Sequence, residues 1–212
     1  VSLKLDTNLA KQADNTNASI RESGKYVGII TRAERLVSQQ GTEGLGLSFK
    51  SSTGQAADYL DIYTHKSNGE ALSGAKTVNA ILACLKLRGA EEGGIVCEKW
   101  DANTKKRVNV RVEGYPDLMG KKIGLLLQKE LTTSIKDGSD REGVTIYAVF
   151  NAETELTASE ILDGKQSPER LPKMVEALMA NPVRDRREKK PAGRPAAPAR
   201  TGFDDMDDDI PF

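Results

Sequence analysis

Tyr59 and Tyr63 stand two positions either side of Asp61, Trp100 precedes a Lys105-Lys106-Arg107 run, and Arg111 shares the parity of Arg107. Rings beside cations suit the gripping of a flexible polyanion: aromatic faces stack on planar heterocycles, and Lys or Arg pairs with phosphate. Tyr26 next to Lys25 repeats the combination. The plainer alternative is structural: half-buried strand tyrosines, a tryptophan plugging the core and a solvated basic turn. Bond-making chemistry has less to work with. The chain holds a single histidine, His65, and two cysteines, Cys84 and Cys97, which read as small buried hydrophobes in a reducing compartment. One histidine makes a zinc site improbable, and no Gly-rich loop runs into Lys-Ser or Lys-Thr. The expectation is a binding protein, not an enzyme, with no metal and no cofactor.

The elements that must carry these residues read mainly as β-structure. Residues 25–37 are rich in β-branched and apolar types, Leu45, Leu47 and Phe49 alternate with small or polar residues, and Leu60 and Ile62 alternate with Tyr59, Asp61 and Tyr63. Residues 51–54 predict a turn between the last two runs. Val78, Ile81, Leu82 and Leu85 have the spacing of an amphipathic helix, with Ser73 as cap and Gly89 as stop. Strands follow at 94–100 and 106–113 as a hairpin, with Val108, Val110 and Val112 on one face and Arg107, Asn109 and Arg111 on the other. Further strands are predicted at 122–131 and 143–150. Thr157 and Glu160 have capping-box spacing, and Leu171, Val175, Leu178 and Met179 predict a closing helix with Pro172 in its first turn. Phe49 and Phe150 belong to the core. Three strands, a helix and two strands is the order of an oligonucleotide/oligosaccharide-binding barrel, the OB-fold, a five-stranded Greek-key barrel. The 122–150 strands then extend it.

Composition changes near Asn181. No apolar run approaches the roughly 20 residues that span a bilayer, and the polar first 23 residues lack a signal-type apolar stretch. Residues 1–180 carry 24 Lys and Arg against 24 Asp and Glu. Residues 181–203 carry seven basic residues against two acidic ones, among Pro, Ala and Gly, and read as a disordered basic linker. Residues 204–212 close with Asp204, Asp205, Asp207, Asp208, Asp209, Ile210, Pro211 and Phe212. Five carboxylates keep this segment out of any core. The ring of Phe212 suits an apolar pocket elsewhere, its carboxylate a Lys or Arg, and the aspartates a basic rim. Tails of this acidity are often only solvating.

This nine-residue end resembles the acidic tip of bacterial single-stranded DNA-binding proteins. The body lacks that family's opening motif, and the linker is short and basic rather than long and Gly/Gln-rich, so the whole chain looks more like a bacteriophage-encoded single-stranded DNA-binding protein. The resemblance implies a role in DNA replication, repair and recombination in the bacterial cytoplasm. It implies single-stranded DNA as ligand and replication and repair proteins (polymerase, helicase or nuclease components) as partners docking on the tip, without membrane attachment. The tip is also expected to fold back and compete with DNA. The sequence leaves open a homo-oligomer, and two rival activities: strand annealing as a recombination mediator, or an adaptor or decoy that occupies host repair enzymes without binding DNA.

Overall fold

A computed structural model describes residues 19–101, 103–134 and 137–187. Among these residues, eight strands form one sheet: β1 (Gly24–Val37), β2 (Glu43–Ser51), β3 (Ala56–His65), β4 (Gly93–Asp101), β5 (Lys106–Gly114), β6 (Lys122–Thr133), β7 (Asp140–Phe150) and β8 (Val183–Asp185). Three helices accompany them: α1 (Ser73–Cys84), α2 (Ala158–Leu162) and α3 (Arg170–Ala180). A single 3-10 turn, Pro116–Leu118, links β5 to β6.

The predicted strands and the two long helices are present. Alternation is carried through β3, where Leu60 and Ile62 are buried while Tyr59 and Tyr63 are exposed. On β5, Val108, Val110 and Val112 are half-buried beneath exposed Arg107, Asn109 and Arg111. Phe49 and Phe150 are both within 1% of complete burial. The helix boundaries differ. Leu72 precedes α1 with no side-chain cap, Ser73 is already helical, and the helix stops at Cys84 because Lys86 turns left-handed at φ 57°. The stop therefore comes before Gly89.

The strand path is β3-β2-β1-β5-β4, with β6 joining β1 and carrying β7 on its other side. β1 is long enough to serve two partners: its first half pairs with β6, while its length from Gly28 onward pairs with β2. β5 meets β1 only at Glu34↔Gly114. The expected barrel is thus an open, curled sheet among the described residues. Its main core lies between β1, β2, β3, β6 and α1, around Ile30, Leu47, Phe49, Leu60, Ile81 and Leu127. A smaller cluster packs α3 on the far face through Leu126, Phe150, Leu171 and Leu178. Gly124 is required there, since a Cβ would come within 2.1 Å of the Phe150 ring.

The boundary expected at residue 181 is corrected. Beyond Leu127, β6 outruns β1 and would leave one side of its backbone unpaired. Val183–Asp185 fills that side as a parallel strand, Lys129↔Val183 to Leu131↔Asp185, and Arg186 N–H donates to the Leu131 carbonyl at 2.8 Å. Unsatisfied ladder groups outweigh the local Pro/basic composition. Residues 188–212, including most of the expected linker and the whole acidic tip, lie outside the described residues.

Candidate nucleic-acid interface

A buried arginine organises the exposed aromatic surface. Arg32 projects from β1 and is only 4% exposed. Its Nη1 meets Glu34 Oε2 at 2.8 Å, and Nη2 lies 3.6 Å from Asp61 Oδ1. Nε donates to Ser48 Oγ at 3.2 Å, and Nη2 to the Leu47 carbonyl at 3.3 Å. A guanidinium taken from water needs such partners on several sides. Glu34 in turn receives Lys99 from β4 at 2.6 Å, so the network ties the β4–β5 hairpin to β1. Burial raises the Asp61 carboxyl above the usual range, an effect that the Arg32 charge partly offsets.

Tyr59 lies on this cation. The guanidinium carbon is 5.0 Å from the ring centroid, within cation–π range, yet the side chain remains 57% exposed. Its backbone is unusual for a non-glycine residue, with φ 57°, at the bulge where the β2–β3 register slips between Leu47 and Phe49. A bulge re-aims a side chain, and a left-handed tyrosine costs on the order of 1 kcal/mol that surrounding structure must offset. The outcome is a ring supported by charge on one side and open to solvent on the other.

Two other predicted residues meet it. Trp100 and Arg107 are cross-strand partners on β4 and β5, and both lie on the outer face of the hairpin with exposed Val96 and Arg111. Tyr59, Trp100 and Arg107 line one small cleft with Arg32, Asp58 and Glu98. Arg107 reaches across to β3, where its Nη2 sits 2.5 Å from Asp58 Oδ2, and the Asp58 hydrogen bond raises the guanidinium pKa further. Beside this cleft is a larger one of about 540 Å³ between the concave β1–β3 surface and the hairpin, lined by Lys50, Ser48, Asp58, Arg107 and Asn109 among others. A curled sheet with cations and rings at its rim can hold an extended chain of planar groups joined by anions.

The remaining candidates scatter. Lys105 and Lys106 are exposed at the hairpin tip, with Lys105 left-handed at φ 51°, and neither lines the cleft. Arg111 lies across Gly94, where a Cβ would be 3.1 Å from its Nε. Lys25 is occupied: it pairs with Glu155 at 2.6 Å and lies 5.7 Å from the Phe150 ring centroid. Tyr26 is half-buried and donates its hydroxyl to the Glu22 carbonyl, with burial raising its pKa. These two help pack the β1–β6 region and line neither cleft. Tyr63, 41% exposed, opens on a different groove shared with Tyr59. The thiols are buried, with Cys84 pushed up to about 12, so Cys84 remains protonated and unreactive. Arg32, Asp58 and Lys50 escaped the sequence reading, which had placed Asn109 on the face of Arg107 and Arg111.

Among the described residues no helix is long and apolar enough to cross a membrane, and no group of three His, Cys, Asp or Glu side chains is placed to hold a metal ion. No protein-family model matches the chain, and a search of curated proteins returns no significant match.

Proposed function

We propose that this chain binds single-stranded DNA without sequence preference, protects it during replication and recombination, and recruits replication and repair proteins through residues 204–212. The observation that carries the DNA-binding half is the convergence of Tyr59, Trp100 and Arg107, from three strands, on one cleft. Exposed rings lining one cleft with an arginine match the stacking-plus-phosphate chemistry of single-strand binders. The order β1-β2-β3-α1-β4-β5 supports an OB-type architecture, with the Arg107–Asp58 ion pair spanning the β3–β5 gap that a closed barrel would bridge by a ladder. The recruiting half rests on the sequence of the tip and its resemblance to bacterial single-stranded DNA-binding proteins.

Titration with oligo-dT, followed by the fluorescence of Trp100, tests the first half. Binding quenches the sole indole, and Tyr59→Leu weakens binding by roughly 1–3 kcal/mol without changing the fold. An intact protein that leaves oligo-dT unbound in dilute buffer refutes the reading. For the tip, a chain lacking Phe212 should lose its capture of bacterial replication and repair enzymes while retaining DNA binding.

A further inference from the structure

The second groove on this surface has a composition that the cleft at Trp100 does not explain. It has a volume of about 590 Å³ and is lined by Tyr59, Tyr63, Thr77, Glu130, Arg184 and Arg186 among others. Tyr59 lines both this groove and the Trp100 cleft, so the two lie on either side of a single ring. The two arginines are here only because β8 is docked on β6. Arg184 lies within β8 and Arg186 one residue past its end, where its backbone N–H still donates to the Leu131 carbonyl, and both side chains line the groove.

Charge on the two sides of β8 is divided. Asp185 and Asp140 hold Arg187 at 2.6 and 3.2 Å, so that cation is spent within the fold. Arg184 and Arg186 instead share one carboxylate oxygen, Glu130 Oε1, at 3.7 and 3.5 Å. Those distances exceed hydrogen-bond length, and the same buried oxygen has no hydrogen-bond partner. Two guanidinium groups against one loosely held carboxylate leave donors in hand, while Asp61, the other carboxylate lining the groove, faces the Arg32 guanidinium at 3.6 Å. Both arginine side chains are more than half exposed.

We propose that Tyr63, Arg184 and Arg186 form a second subsite for single-stranded DNA, continuing the strand past Tyr59 from the Trp100 cleft. This rests on the DNA-binding reading above. The base stacks on Tyr63, and the phosphates take the two guanidinium groups, which Glu130 keeps in place when the groove is empty. A short oligonucleotide is held by the Trp100–Tyr59 end alone, and only a longer one reaches β8.

The test compares oligo-dT of graded length, from about 4 to about 30 nucleotides, on the full chain and on Arg184→Ala/Arg186→Ala and Tyr63→Leu variants. The substitutions leave the backbone pairing of β8 available, and Glu130→Gln supplies a variant that acts in the opposite direction. The expected result is unchanged affinity for the shortest oligonucleotides and a loss of roughly five-fold or more for the longest. The salt slope of long-oligonucleotide binding falls by about 1.4 in the double-arginine variant, as for two lost phosphate contacts. Glu130→Gln tightens only the long oligonucleotides. Equal effects at all lengths, or no effect at any, overturn the second subsite while leaving the first intact. Failure of the unmodified chain to bind any of them overturns the DNA-binding reading and this inference with it.

Discussion

Asp58 occupies the place that a phosphate must take if Arg107 contacts DNA, and Asp58→Asn measures what that occupancy costs. The pair is short at 2.5 Å, with side chains 50% and 26% exposed, so its own strength falls in the range of about 0.2–1 kcal/mol typical of solvent-accessible ion pairs. A phosphate brought to Arg107 also approaches the aspartate, and two like charges about 5 Å apart in water repel by about 0.8 kcal/mol. Together these terms predict a gain of about 1–2 kcal/mol in DNA affinity at low salt. Asparagine retains one acceptor for Arg107, so the gain belongs near the lower limit, roughly five-fold. The assay is Trp100 quenching by oligo-dT at several salt concentrations, with far-UV circular dichroism and the unfolding midpoint as fold controls. The advantage should shrink as salt rises and the screening length falls from about 10 Å at 0.1 M to about 3 Å at 1 M. A folded Asp58→Asn protein that binds no better than the parent, or binds worse, would show that Arg107 does not exchange Asp58 for phosphate.

Deleting residues 204–212 should tighten oligo-dT binding at low salt, because five aspartates no longer compete for the cations; unaltered affinity eliminates the competition. Glu160 is fully buried and accepts from the Thr157 hydroxyl and from the backbone N–H groups of Thr157, Glu169 and Arg170, at 2.7–2.8 Å. Burial alone would raise its pKa, but these donors bring it down to about 2 from the ordinary 4.5. Its stabilising contribution is therefore complete above about pH 4.5 and is lost as pH falls toward about 2, so acid unfolding of Glu160→Gln should show a weaker pH dependence across that window. At neutral pH, Glu160→Ala leaves several donors without their carboxylate and should cost about 3 kcal/mol in denaturant unfolding. Gly124→Ala forces a methyl against Phe150 and should cost at least about 2 kcal/mol by the same measurement.

Much of the architecture was legible because every strand but β8 carried its own signal. β3 declared itself through Leu60 and Ile62 opposite Tyr59 and Tyr63, and β5 through its three valines opposite Arg107, Asn109 and Arg111. The Thr157–Glu160 capping box was readable for the same reason, as a local arrangement within four residues. What escaped depends on partners distant in sequence. Arg32 looks like one more exposed charge in β1 until Ser48, Asp61 and, through Glu34, Lys99 are brought around it by three other strands. β8 has no strand signal of its own, since its pairing is set by how far β6 extends beyond β1. Tyr26 and Lys25 formed a plausible ring–cation pair on paper, but folding pairs Lys25 with Glu155 and turns the Tyr26 hydroxyl to the Glu22 carbonyl.

Across its middle, β3 pairs with β2 alone, and β4 pairs with β5 alone, among the described residues. A strand with one free side is a template on which a second copy can add. Asp58 and Asp61 on β3 and Glu98 on β4 set charge along those two margins. Carboxylates that oppose an incoming polyanion therefore also discourage self-association, and a variant stripped of them to raise affinity gives up colloidal protection in the same step.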